Sequence, residues 1–75
     1  MAKATRFSRL TFGRAIRRER VDQRLSQEKF AERANVHRTY ISAIELGKVS
    51  VGIEVANALA SALNMRLSDL IRRAE

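Results

Sequence analysis

An all-α fold of five short helices, packed as one compact domain, is what this sequence predicts, and three observations predict it. The stretch Leu25–Lys48, LSQEKFAERANVHRTYISAIELGK, reads as two short helices held at an angle by a tight turn. On either side of it apolar residues recur at helical spacing. Seventy-five residues allow one domain. A chain of this size buries only about 60% of the surface it exposes when unfolded, so its core has to be compact.

Taken in order, residues 1–10, MAKATRFSRL, carry three basic residues and two isolated large apolar ones, Phe7 and Leu10. They are expected to form a basic, mobile arm, with Phe7 equally able to pack on the domain. The domain itself is expected over residues 11–75. From Thr11, TFGRAIRRERVDQR predicts a first helix with Phe12, Ala15 and Ile16 inward and a dense basic face outward, weakened slightly by Gly13. Ser26 is a good N-cap for the second helix, because its hydroxyl can accept from an orphan amide of the first turn, and Glu28 suits the dipole there. Phe30, Ala31 and Ala34 then fall on one face, with Glu28, Lys29, Glu32 and Arg33 on the other. Asn35 stops this helix, since Asn is, after Gly, the residue that best tolerates a left-handed backbone.

Val36 fills the gap before a third helix, which His37 can cap. Ile41 and Ile44 mark its buried side and Gly47 ends it, so the two-helix unit spans about residues 26–47. After the loop KVSVG, the run from about Ile53 to Leu63 predicts a fourth helix with Val55, Ala56, Leu59, Ala60 and Leu63 at core spacing, and Asn64 as its left-handed stop. The last segment, MRLSDLIRRAE, places Met65, Leu67, Leu70 and Ile71 close together on a short fifth helix.

With Ile41 and Ile44 inward, a rotation of about 100° per residue turns Thr39, Ser42 and Ala43 outward and leaves Arg38 at the exposed first turn. Such a face suits the floor of a DNA major groove: Arg can bond a guanine edge bidentately, Ser and Thr donate or accept, and a methyl can touch thymine. On its own, a short polar face is more commonly a solvated one. Charge adds weight to the first reading. Lys and Arg outnumber Asp and Glu by eight to two in residues 1–24, four to three in residues 25–49, and three to three in residues 50–75. The excess at the N-terminal end implies an anionic partner, nucleic acid first and an acidic membrane surface second, against a merely solvated basic face.

Several function classes are excluded. There is no Cys, hence no disulfide, thiolate nucleophile or Cys-based metal site. His37 is the one His, no Ser sits in a nucleophile motif, and the glycine patterns that cradle phosphates are absent. The chain is therefore not expected to be an enzyme, to hold a metal or to need a cofactor. No run approaches the ~20 apolar residues of a membrane span, and no signal core follows the basic N-terminus, so a cytoplasmic location is expected.

Counted from Gln27, the motif sets a small residue at Ala31, a turn residue at Asn35 and apolar residues at Val36, Ile41 and Ile44. In this it resembles the helix-turn-helix of the phage lambda repressor and Cro (XRE-type) family. From about Phe12 to Leu70 the chain is similar to that family's five-helix domain, and HRTYISAIE resembles the recognition helix of restriction–modification controller proteins. The resemblance implies a structural ion pair between Arg20, which continues the buried stripe from Ile16, and Glu45. It also implies that Gln27 bonds a phosphate and buttresses the recognition helix.

Arg38 and Thr39 are the first candidates for base edges, with Ser42, Ala43 and His37 after them, His37 being equally well explained as a cap. Tyr40, Lys48, Arg14, Arg17 and Arg18 are candidates for phosphate contact, although the Tyr40 ring can equally pack on the domain. Two departures from the family pattern leave turn geometry open: Arg24 stands where Gly is usual, and no Pro precedes the fourth helix.

The function expected is a sequence-specific regulator of transcription that binds double-stranded DNA as a homodimer. Its partner copy is expected to meet it through Leu67, Leu70 and Ile71, unless these simply complete the core. Such a dimer reads an inverted repeat with recognition helices about 34 Å apart. The alternative is an antitoxin or adaptor whose main partner is another protein, a toxin or polymerase.

Overall fold

The computed structural model describes residues 7–75, and among them five α-helices and no strand. These are α1 (Arg9–Asp22), α2 (Gln27–Ala34), α3 (Arg38–Glu45), α4 (Ile53–Ala62) and α5 (Leu67–Arg73). None is long and apolar enough to cross a membrane. Most of the expected arm lies outside the described residues, and its last residues belong to α1. Thr11 N–H donates to Ser8 Oγ at 3.2 Å while Ser8 N–H donates to Thr11 Oγ1 at 2.8 Å, a capping box with Thr in the place of Glu. The helix therefore starts at Arg9, two residues before the predicted Thr11. Phe7 lies half-buried, its ring edge-on to Phe12 with centroids 6.0 Å apart.

Four of the helices stop in the same way. Arg24, Asn35, Gly47 and Asn64 have φ of 59°, 59°, 72° and 58°. Beyond each, the next amide turns back to the helix: Leu25 N–H donates to Arg20 O at 3.1 Å, Val36 N–H to Ala31 O at 3.0 Å, Lys48 N–H to Ala43 O at 3.0 Å and Met65 N–H to Ala60 O at 2.9 Å. A left-handed residue reverses the chain within two residues, so successive helices cross at an angle. The predicted caps hold as well. Lys29 N–H donates to Ser26 Oγ at 3.0 Å, and Thr39 N–H donates to His37 Nδ1 at 3.2 Å.

The core lies where the five helices converge. Ile16, Phe30, Ile41, Ile44, Leu59, Leu63 and Leu70 are its largest fully buried side chains, at least one from or next to every helix. Leu70 corrects the expectation that it contacts a partner copy: it is 0% exposed within the protomer. The reason is geometric. A helix as short as α5 turns one stripe inward, here Leu70 and Ala74, and leaves Leu67 and Ile71 half-buried on its flank.

α1 and α3 approach backbone to backbone at Gly13. A Cβ there would run into Ile44 O and stand 3.0 Å from Glu45 O. At its other edge α1 is tied to α5 by Arg73 Nη1, 2.7 Å from Glu19 Oε2, and Gln23 Nε2 donates to Leu63 O at the end of α4.

Candidate nucleic-acid interface

The candidate surface is built on α3. Ile41 and Ile44 are 0% and 1% exposed, and their burial fixes the rotation of the helix about its own axis. His37, Arg38 and Thr39 are exposed, and Ser42 and Ala43 are half-exposed beside them. The five predicted base-reading residues therefore share one outward surface. The first turn is ordered by His37, whose Nδ1 accepts from Thr39 N–H and lies 2.7 Å from Thr39 Oγ1.

Behind this surface runs a chain of polar contacts. Arg20 grips Glu45 with two bonds, Nε to Oε2 at 2.6 Å and Nη2 to Oε1 at 3.1 Å, and its Nη1 donates to Leu25 O at 2.7 Å. The fork-on-fork geometry and the low exposure of both side chains, 9% and 3%, make this a desolvated, bidentate pair joining α1 to α3. Gln27 Nε2 donates to Glu45 Oε1 at 3.1 Å, and Arg38 Nη1 approaches Gln27 Oε1 at 3.5 Å. The amide of Gln27 thus stands between the buried pair and the exposed guanidinium of Arg38.

A profile described as helix-turn-helix (HTH_3) matches residues 16–70, most of the chain. The chain belongs to the XRE-type helix-turn-helix family. It is 39% identical over 64 residues to the control protein C.BamHI of Bacillus amyloliquefaciens, covering 84% of this chain and 79% of that one. With the control protein C.MunI of a Mycoplasma it shares 40% identity over 55 residues, 73% of this chain and 72% of that one. Among solved structures, the restriction–modification controller C.AhdI of Aeromonas hydrophila superposes with a TM-score of 0.80 at 31% identity, over 83% of this chain and 94% of that one. The clp gene regulator ClgR of Corynebacterium glutamicum superposes with a TM-score of 0.85 at 29% identity, over 88% and 70%. Membership of this family makes the chain a DNA-binding regulator of transcription and not an enzyme.

In helix-turn-helix terms α3 is the recognition helix, and the flanking cations can be placed around it. Arg17 lies on α1 within about 60° of both Gly13 and Arg20, the residues that meet α3, so it borders the recognition helix. Arg14 and Arg18 lie further round. They line a groove between α1 and α5 together with Glu19, Asp22, Arg73 and Glu75, and they share a second, shallower groove with Arg17, Val21 and Asp22, so the three arginines form one continuous basic face of α1. Lys48 is exposed just past α3, its amide bound to Ala43 O. Tyr40 is half-buried with its ring packed against the core, and its hydroxyl has no hydrogen bond among the described residues.

One residue of this surface escaped the sequence reading. Leu46 caps α3 with its N–H still bonded to Ser42 O at 3.1 Å, so it keeps the helical rotation and falls within about 40° of Ser42 and 20° of Thr39. It is 58% exposed. The signal was its spacing, four and seven residues after Ser42 and Thr39.

Proposed function

We propose that the chain acts as a homodimer that reads an inverted-repeat operator through the major groove. The observation carrying this is the outward rotation of α3 by two fully buried isoleucines, which presents Arg38, Thr39, Ser42 and Ala43 together. Arg38 is the principal base reader, directed at a guanine edge and held from behind by Gln27. Thr39 and His37 flank it at the first turn, and Ser42 and Ala43 lie one turn further on. Gln27 retains a second amide hydrogen for a phosphate after bonding Glu45. Arg14, Arg17, Arg18, Lys48 and the Tyr40 hydroxyl supply further phosphate contacts.

Dimerisation is supported by an apolar groove lined by Phe7, Phe12, Val49, Val51, Leu67 and Ile71, with Ile53 on its rim at 76% exposure. The exposed Ile53 and the groove beside it form a self-complementary pair of the kind a two-fold interface requires.

The reading is tested by gel shift at two salt concentrations on operator and random DNA. Arg38→Ala is expected to erase most of the preference for the operator, about 1–3 kcal/mol of discrimination. Arg17→Ala should weaken binding to all sequences alike and lower the salt slope by about one. If Arg38→Ala discriminates as well as the parent protein, another residue reads the bases. Were the protein to show no sequence preference at all, the adaptor or antitoxin function would take its place.

A further inference from the structure

Leu46 is an exposed large apolar side chain on the surface that also carries Thr39, Ser42 and Ala43. Its position is held rather than loose. Gly47 turns the chain immediately after it with φ of 72°, Lys48 N–H closes that turn on Ala43 O at 3.0 Å, and Leu10 packs against Gly47, so close that a Cβ there would stand 3.0 Å from Leu10 Cα and Cδ1. Seven residues separate Thr39 from Leu46, about 10.5 Å along a helix axis at ~1.5 Å per residue. In a major groove the one apolar group that distinguishes a base pair is the 5-methyl of thymine.

We propose that Leu46 reads a thymine methyl in each operator half-site, at a different base pair from the one read by the first turn of α3. The inference rests on the DNA-reading function above and adds a residue and a base to it. An isopropyl group over that methyl excludes water from both, and it favours thymine over cytosine, which lacks the methyl and offers an amino group that Leu cannot accept.

The experiment begins with a preferred operator obtained by selection from random DNA with the full chain. Each thymine of one half-site is then replaced in turn by deoxyuridine, which removes only the 5-methyl group. The parent protein is expected to lose about fourfold in affinity at one thymine, the worth of one buried methyl group. Leu46→Ala, at a site exposed enough to leave folding intact, should bind the thymine and deoxyuridine operators equally at that position while keeping its other preferences. Indifference of the parent protein to every replacement overturns the proposal. So does a thymine preference that persists in Leu46→Ala, which would assign the methyl contact to Ala43. A chain that selects no sequence overturns the DNA-reading function and this inference together, a result distinguishable from either of the others.

Discussion

Gly13 shows how far a single residue can be misread from sequence. As a helix-interior glycine it is a weak point, and Ala in its place should gain about 1 kcal/mol of helix propensity. The structure reverses the sign, because the new Cβ would meet the carbonyl oxygens of Ile44 and Glu45, backbone atoms that cannot rotate away. Overpacking of this kind costs about 1–3 kcal/mol, and with no flexible neighbour to yield, the upper end applies. Gly13→Ala is therefore expected to lower stability by about 2 kcal/mol net in urea unfolding, and an unchanged or raised midpoint would show that α1 can slide away from α3. Arg24 is the opposite case. It holds φ of 59°, a conformation that costs a residue bearing a Cβ about 1–2 kcal/mol and glycine almost nothing. Arg24 is exposed, so Arg24→Gly should raise stability by about 1 kcal/mol and Tm by about 4–8 °C. The sequence marked Arg24 as out of place but gave no angle; Asn35, Gly47 and Asn64 were legible as left-handed stops because Asn and Gly advertise that conformation and Arg does not.

The elements were legible wherever apolar spacing and capping residues agreed. Ser26, Asn35, Ile41 and Ile44 placed α2 and α3 to within a residue or two, whereas the start of α1 was missed because Ser8 and Thr11 cap each other in a box whose usual Glu or Gln is absent. The joint between α1 and α3 was a different matter: only resemblance, not periodicity, paired Arg20 with Glu45. Its energetics follow from burial. Removing one partner leaves the other charge desolvated, so Glu45→Ala should destabilise by about 3–5 kcal/mol, with Gln27 losing its acceptor as well. Replacing both, as Arg20→Met with Glu45→Leu, should recover much of that loss, because a well-packed apolar pair has no desolvation penalty to offset. If the double variant is less stable than Glu45→Ala alone, the bonds to Leu25 O and Gln27 matter more than the charge balance.

At the scale of the molecule, formal charge and apolar surface divide the labour. A net charge of +7 supplies attraction to any DNA, and that attraction carries no sequence information. Preference for one operator requires base contacts, and a single helix as short as α3 reaches only a few base pairs. A second copy multiplies them. The groove lined by Phe12, Val51, Leu67 and Ile71, with Ile53 beside it, is where that copy should dock. Sequence could point to this end of the domain but not to the groove, since Val49 and Val51 come from a loop and Leu70, one of the three apolar candidates, is consumed by the core. Ile53→Glu puts a charge at a position 76% exposed in the protomer, so it should leave the fold intact while breaking a dimer that buries it. The expected result is a monomer in sedimentation equilibrium where the parent protein is a dimer. Affinity for the full operator should fall between about 10²- and 10⁴-fold, because the second half-site is no longer bound intramolecularly, while affinity for an isolated half-site stays the same. A dimeric Ile53→Glu protein with parental operator affinity would place the interface elsewhere. A monomeric one that also lost half-site binding would mean that α3 itself depends on the partner for its position.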